Sequence, residues 1–160
     1  VDSSFKWSRK MKDLRVDPEF KVVQEGVRFE CQGSGKCCLS RGEYGFVYLT
    51  KSDRHRMAEL LGLQTAAFTR KYCKKTDGYY HLKADSELSE CVFLEDKKCN
   101  VYEARPTQCR TWPFWPEVMN AKTWQKEVKS FCPGIDKGRY YSPQEVQDIL
   151  NQQIRAENAP

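Results

Sequence analysis

The sequence predicts a small α+β domain, a single domain with short strands and several helices organised around a metal site ligated by cysteines. Three observations support this prediction. The 160 residues are enough for one domain that buries about two thirds of the surface of its unfolded chain. Short apolar runs bounded by turn residues alternate with amphipathic segments of helical length. Eight cysteines stand in clusters a few residues apart, a spacing typical of metal ligands.

The composition is typical of a soluble globular chain. Hydrophobic residues make up 39% and charged residues 31% of the chain, and no run of about 18 apolar residues is present that would span a bilayer. We therefore expect no membrane association, a monomer, and a reducing intracellular compartment, either cytoplasm or the interior of an organelle. A net charge of +5 is too small to make nucleic-acid binding the first interpretation.

We divide the chain into three parts. Residues 1–28 mix charges with sparse apolar residues, which predicts an N-terminal arm laid over the domain. Residues 29–138 contain all eight cysteines and form the predicted cysteine-cluster metal-binding domain. Residues 139–160 are expected to form a C-terminal helix packed on the same domain.

The first cysteine segment predicts a loop folded around a metal ion. Gly33 and Gly35 lie between Cys31 and Cys37, and glycine allows positive φ and a close approach of the backbone to a bound ion. Cys37 and Cys38 are adjacent, and neighbouring side chains of an extended chain point to opposite faces. Three alternatives remain open for this pair: a tight turn brings both to one ion, one ligates while the other packs as an apolar residue, or the two bridge two ions.

A strand that runs directly into a helix is predicted next. Residues 45–49 favour β-structure, and Thr50 with Asp53 three residues later is close to a capping box. The helix is expected to end at Gly62. Its buried face should hold Met57, Leu60 and Leu61.

A second helix and a strand follow. The helix is predicted from Thr65, with Cys73 at its end, and the Asp77-Gly78 pair predicts a turn into a strand over residues 79–83. Cys73 has two interpretations. We favour a buried, incidental thiol over a reactive thiol whose pKa is lowered by the neighbouring lysines.

A hairpin is predicted to carry two of the cysteines. Residues 91–94 and 99–102 read as short strands joined by the loop 95–98, which would bring Cys91 and Cys99 to the same region of a sheet.

The last part of the chain predicts a short helix, an aromatic corner and a final helix. One or two helical turns are expected over residues 104–110. Residues 112–116 contain two prolines and cannot form a regular helix. Ser142 followed by a proline and by Glu145 predicts the start of the final helix. Four aromatic residues are expected to form core and a lid over the metal site rather than a platform for bases: Trp112, Phe114, Trp115 and Trp124.

Sulfur is the expected ligand type. His55 falls in the first predicted helix and His81 in a strand, and neither has another candidate ligand at the spacing of a metal site. Ligation by thiolates suits structural zinc, and four thiolates suit an iron–sulfur cluster.

Three ordered blocks of residues resemble a known family. The blocks are Phe29-x-Cys31-x-x-Ser34-Gly35-x-Cys37-Cys38, then residues 91–114 with Arg105-Pro106, then Cys132-Pro133-Gly134. Together they resemble the YkgJ-like cysteine-cluster family, which is described as zinc- or iron-chelating and has the signature CxxCxxCC.

The resemblance implies a metal site assembled from distant blocks. It implies seven ligand candidates: Cys31, Cys37, Cys38, Cys91, Cys99, Cys109 and Cys132. Ser34 stands where the signature has its second cysteine, which argues against four thiolates from the first block alone. Arg105 has two interpretations: it hydrogen-bonds loop carbonyls or offsets thiolate charge, or it packs against the tryptophans.

Four interpretations of function follow. The first is a metal-binding protein of undefined cellular role that holds zinc, iron or an iron–sulfur cluster. The second is a redox or group-transfer enzyme with an open position on the metal, although no nucleotide-binding or hydrolase motif supports it. The third is a zinc-stabilised module that binds RNA or a protein through the basic segments 70–75 and 122–129. The fourth is an oxidised domain with four disulfides.

Overall fold

The computed structural model describes residues 13–33, 46–83, 91–96 and 98–159. These residues form six helices and three two-stranded antiparallel sheets, so the predicted α+β class is confirmed. The chain divides into two compact units, one of residues 1–30 with 113–154 and one of residues 31–112 with 155–160. Within the described residues, no helix is both long and apolar enough to cross a membrane.

The first unit contains a two-stranded sheet. Strand β1 (Val27–Phe29) pairs antiparallel with the later strand β6 (Ile135–Tyr141), and the register shifts between Arg28 and Phe29. Gly26 precedes β1 at a φ of 80°, where a Cβ atom would lie 2.1 Å from the carbonyl oxygen of Tyr141, so only glycine fits. Sequence analysis missed both strands, because most residues of β6 are exposed and its sequence lacks apolar alternation.

Helices complete the first unit. They are α1 (Lys21–Glu25), a 3₁₀ turn at Pro116–Val118, α5 (Ala121–Thr123), which continues into a π-helical segment (Trp124–Lys129), and α6 (Pro143–Glu157), whose last residues belong to the second unit. The predicted start of α6 is confirmed, since the Ser142 amide donates to Glu145 at 2.9 Å and the Glu145 amide donates to the Ser142 hydroxyl at 3.2 Å. Phe114 and Trp124 are buried, as expected of core residues.

The second unit contains a helix with the predicted cap. Helix α2 (Lys51–Leu60) begins after Thr50, whose hydroxyl accepts a hydrogen bond from the Asp53 amide, while the Asp53 carboxylate accepts one from the Thr50 amide, both at 3.0 Å. The capping box is therefore confirmed. Gly62, at a φ of 68°, terminates the helix as predicted.

The predicted buried face of α2 is only partly correct. Met57 is fully buried, but Leu60 and Leu61 are 45% and 36% exposed. The chain reverses at Gly62, and Leu63 beyond the turn packs against the core instead. We refer to that core as the second-unit core: it contains Leu49, Met57, Ala58, Phe68, Cys73, Leu82, Phe93, Val101 and Ala104.

A hairpin follows helix α3 (Thr65–Tyr72). Strand β2 (Cys73–Thr76) pairs with β3 (Tyr79–Leu82) through a turn in which Asp77 and Gly78 both have positive φ. The turn and β3 were predicted, and β2 was missed. The strand predicted over residues 45–49 is reduced to a bridge between Tyr48 and His81, and residue 45 lies outside the described residues.

The cysteine hairpin is shorter than predicted. Strand β4 (Leu94–Glu95) pairs with β5 (Lys98–Cys99), and the chain then forms a 3₁₀ turn at Tyr102–Ala104. Helix α4 (Thr107–Thr111) begins later than the predicted residue 104. The reason is Pro106, which forces the preceding Arg105 out of the helical region to a ψ of 142°.

Candidate metal centre

Cys91 and Cys99 lie together at the β4–β5 hairpin of the second unit. Cys99 pairs with Leu94 across the hairpin, and the Leu94 amide donates to the Cys91 carbonyl at 2.9 Å. The Asn100 amide donates to the Phe93 carbonyl at 2.8 Å, which extends the contact between the two arms. Both cysteines are half-buried and pack against the second-unit core. The prediction that the hairpin carries them to the same region is confirmed.

Cys109 lies on α4, which a buried carboxylate joins to α2. Asp53 is 1% exposed. Its Oδ1 atom accepts hydrogen bonds from the Thr107 amide at 3.0 Å and from the Thr107 hydroxyl at 2.8 Å. Arg56 donates to the same oxygen at 2.5 Å and supplies the compensating positive charge. Asp53 therefore caps α2 and fixes the start of the helix that carries Cys109.

The side chain of Gln108 holds α4 from a second direction. Its Oε1 atom accepts from the Tyr48 amide at 3.0 Å, and its Nε2 atom donates to the Phe46 carbonyl at 3.2 Å. The amide group thus pairs with the backbone of residues 46–48 as a neighbouring strand would. Sequence analysis missed the roles of Gln108 and Thr107. The only available signal was Asp53, which was identified as a cap but not as a partner of a distant helix.

The other candidate ligands lie elsewhere in the chain. Cys31 is exposed and follows β1, beside Gly33, whose φ of 66° confirms the expected left-handed turn. Cys132 belongs to the first unit, where it is half-buried and its amide donates to the Val128 carbonyl at 2.7 Å. Cys37 and Cys38 lie outside the described residues, so the alternatives for this pair stay predictions.

Ring nitrogens of both histidines lie within hydrogen-bond distance of other protein groups. His81 is buried, with Nε2 2.8 Å from the Thr76 hydroxyl and Nδ1 2.9 Å from the Leu82 carbonyl. His55 is exposed, and its Nδ1 atom lies 3.2 Å from the Thr65 hydroxyl. In the described ranges, no three His, Cys, Asp or Glu side chains lie close enough together to hold a metal ion. The predicted ligand set therefore stays a prediction.

Cys73 is set apart by its environment. It is 6% exposed and packs in the second-unit core. Burial raises the pKa of its thiol to about 11, against the smaller opposing effects of Arg54 and Lys83. The expected incidental thiol agrees with this environment, and the alternative of a reactive thiol with a lowered pKa is wrong, because desolvation outweighs the neighbouring cations.

Arg105 contacts the chain just before it. Its Nε atom donates to the Tyr102 carbonyl at 2.9 Å, and its guanidinium lies 3.8 Å from the centre of the Tyr102 ring. Of the two interpretations, hydrogen bonding to a loop carbonyl is confirmed. The aromatic partner is a tyrosine rather than a tryptophan.

The donor chemistry of the second unit fits zinc or iron. Cys91, Cys99 and Cys109 supply sulfur, the ligand that zinc and iron–sulfur sites prefer. All three are half-buried, in contrast to the buried Cys73, and Cys91 and Cys99 pack at the border of the second-unit core. Half-burial leaves part of each cysteine open to an ion.

Comparisons with known proteins agree with this chemistry. An uncharacterized protein of Methanocaldococcus jannaschii, MJ0661, is 28% identical over 137 residues, which cover 80% of this chain and 68% of that protein. No solved structure is significantly similar to the chain. The model of the CxxCxxCC family, described as "Putative zinc- or iron-chelating domain", matches residues 30–133. The match spans most of the chain and contains all eight cysteines, and the chain belongs to this family.

Proposed function

We propose that this protein binds zinc or iron through thiolates supplied by separated segments of the chain. The candidate ligands of the second unit are Cys31, Cys37, Cys38, Cys91, Cys99 and Cys109. Cys132 stays a candidate through the resemblance to the family. The observation that supports the proposal best is the hairpin that holds Cys91 and Cys99 at the border of one core.

The anchoring of α4 supports the assignment of Cys109. A metal ligand needs a rigid support, since the geometry of the site depends on the orientation of each donor. Asp53 and Gln108 hold the helix of Cys109 with hydrogen bonds from two directions. A zinc ion held in this way would stabilise the fold, and an iron–sulfur cluster would supply electron transfer.

The presence and identity of the metal are tested by purification without oxygen, followed by elemental analysis and an absorption spectrum. Stoichiometric iron with an absorption band at about 400 nm would identify an iron–sulfur cluster. Stoichiometric zinc in a colourless protein would identify a zinc site. Protein that contains neither metal and has its cysteines joined in disulfides would refute the proposal and support the oxidised alternative.

The ligands are tested by serine substitutions. We expect Cys99→Ser and Cys109→Ser to lower the bound metal per chain, because each removes a thiolate donor. Cys73→Ser is the matched control, since it changes the same atoms in a buried cysteine and should leave the metal content unchanged. A Cys109→Ser variant that keeps its full metal content would exclude Cys109 from the ligand set.

A further inference from the structure

An outward-facing sheet surface is formed where residues 46–49 run beside the β2–β3 hairpin. The Leu82 amide donates to the Val47 carbonyl and the Leu49 amide donates to the Tyr80 carbonyl, both at 2.9 Å. Cys73 and Leu82 are paired across the hairpin and both face the second-unit core. Because side chains alternate along a strand, Tyr79 and Lys74 belong to the opposite face.

Three exposed aromatic rings lie on this surface, which we call the aromatic face: Phe46, Tyr48 and Tyr79. They are 37%, 44% and 37% exposed, respectively. Phe46 stacks on the His81 ring at a centroid distance of 3.8 Å and an angle of 18°. Tyr48 meets Phe46 edge-on at 6.2 Å.

His81 provides a rigid base for these rings. It is 1% exposed, and both of its ring nitrogens are engaged, by Thr76 and by the Leu82 carbonyl. A fixed base reduces the conformational entropy that Phe46 and Tyr48 would lose on binding a ligand. The aromatic face is therefore preorganised.

Positive charge borders the aromatic face. Residues 61–83 contain five lysines and arginines and one acidic residue, Asp77, which gives 5 − 1 = +4. Three of the basic residues lie on the end of α3 and on β2, and we call them the basic rim: Arg70, Lys71 and Lys74. Lys75 belongs to the core side of β2, where its Nζ atom lies 5.1 Å from the centre of the Tyr80 ring. All three residues of the basic rim are exposed, and none forms an ion pair with a described residue.

We infer that the aromatic face and the basic rim bind single-stranded RNA. Exposed rings on a sheet offer stacking surfaces to unpaired bases, and the basic rim neutralises the phosphates that connect them. The hydroxyls of Tyr48 and Tyr79 can hydrogen-bond the 2′-hydroxyl, which DNA lacks. This inference goes beyond metal binding and does not depend on which metal is bound.

The test is fluorescence anisotropy with the full chain and a labelled oligo(U) RNA of about ten nucleotides. If the three cations of the basic rim each neutralise one phosphate, the slope of log affinity against log salt is about −2.1. Raising the salt from about 50 mM to about 200 mM should then weaken binding about 20-fold. The same sequence as DNA, or as duplex RNA, should bind more weakly, because the first lacks 2′-hydroxyls and the second hides its bases.

Substitutions test whether the aromatic face and the basic rim are the surface that binds RNA. Tyr79→Ala should weaken binding about tenfold through the loss of stacking, and Tyr79→Phe should keep most of the affinity. The double substitution K71Q/K74Q should reduce the salt slope by about 1.4. The control K122Q/K126Q removes the same charge from exposed lysines of the first unit and should leave binding unchanged. Circular dichroism and metal content must match those of the wild type for each variant.

Three results would overturn the inference. The first is the absence of salt-dependent binding to the oligo(U) RNA by metal-loaded protein. The second is an equal loss of affinity in K122Q/K126Q and K71Q/K74Q, which would indicate non-specific charge attraction. The third is tighter binding to a labelled polyglutamate peptide than to RNA, which would assign the surface to an acidic protein partner. None of these results bears on the metal content, so failure of the RNA-binding inference is distinguishable from failure of the metal proposal.

Discussion

Cys73 and Cys109 show how the environment of one residue decides the chemistry of a thiol. Cys109 is half-buried on a helix, whereas Cys73 is enclosed by apolar side chains of the second-unit core. A thiolate in such a core has lost its hydration, so the neutral thiol is favoured. At the residue scale, sequence neighbours such as the adjacent lysines are therefore a poor guide to reactivity.

We predict that Cys73 resists alkylation in the folded protein. Its raised pKa of about 11 leaves only about one thiol in a thousand ionised at pH 8. The rate of reaction with iodoacetamide should rise with pH up to about 11 rather than level off near the ordinary value. Peptide mapping by mass spectrometry measures the modification, with urea-unfolded protein as the control. Rapid labelling of Cys73 at pH 8 without unfolding would contradict the buried environment.

At the element scale, Asp53 joins helix α2 to Thr107 of α4, which lies 54 residues later in the chain. We predict that Asp53→Asn lowers the free energy of unfolding by about 3 kcal/mol, because the half-buried Arg56 and the Thr107 donors lose a buried, charged acceptor. Urea denaturation measures this loss. Glu59→Gln changes an exposed acid on the same helix and should shift stability by less than about 0.5 kcal/mol.

A second substitution distinguishes the role of Asp53 in capping α2 from its role in anchoring α4. Thr107→Val removes the hydroxyl donor to Asp53 but leaves the capping box intact. Its cost should be about 1 kcal/mol, and the amide of Arg110 should exchange with solvent faster than in the wild type. Equal exchange rates would show that the hydroxyl does not hold α4.

The cap of α6 leads to a prediction on pH. The backbone hydrogen bond from Ser142 holds the pKa of Glu145 below its usual value, and Arg139 adds to the effect. A lowered folded-state pKa stabilises the protein above the ordinary pKa of about 4.5, and this contribution is lost as the pH falls through the lowered value. The stability advantage of wild type over Glu145→Gln should therefore be larger at neutral pH than at an acidic pH well below 4.5.

Urea titrations of wild type and Glu145→Gln at both pH values measure that difference. The exposed Glu19→Gln serves as the control for loss of a negative charge from the first unit. A stability difference between wild type and Glu145→Gln that persists unchanged at low pH would show that the cap does not depend on the ionised carboxylate.

At the scale of the whole molecule, removal of the metal should destabilise the fold. In the proposed site a shared ion would join ligands from distant segments, so its binding free energy would contribute to folding. We expect a chelator to lower the melting temperature by about 10 °C, and stoichiometric metal to restore it. Thermal melts followed by circular dichroism test this, with elemental analysis to confirm removal. An unchanged melt of metal-free protein would show that the metal has no structural role.

The sequence by itself determined the features that depend on neighbouring residues. The caps at Thr50 and Ser142, the turn at Asp77 and Gly78, and the cysteine hairpin were all predicted, because each is formed by residues within a few positions of one another. The cysteine blocks likewise indicated the family. Local spacing is visible in a sequence without any knowledge of the fold.

Only the tertiary structure decided which distant segments meet. The pairing of β1 with β6, the bonds between Asp53 and Thr107, and the burial of Cys73 join or enclose residues far apart in the chain. The sequence pattern of β6 is polar, and a carboxylate that caps one helix gives no sign that it also anchors another. Such contacts follow from the packing of whole elements, since burial and hydrogen-bond satisfaction are fixed only when the elements come together.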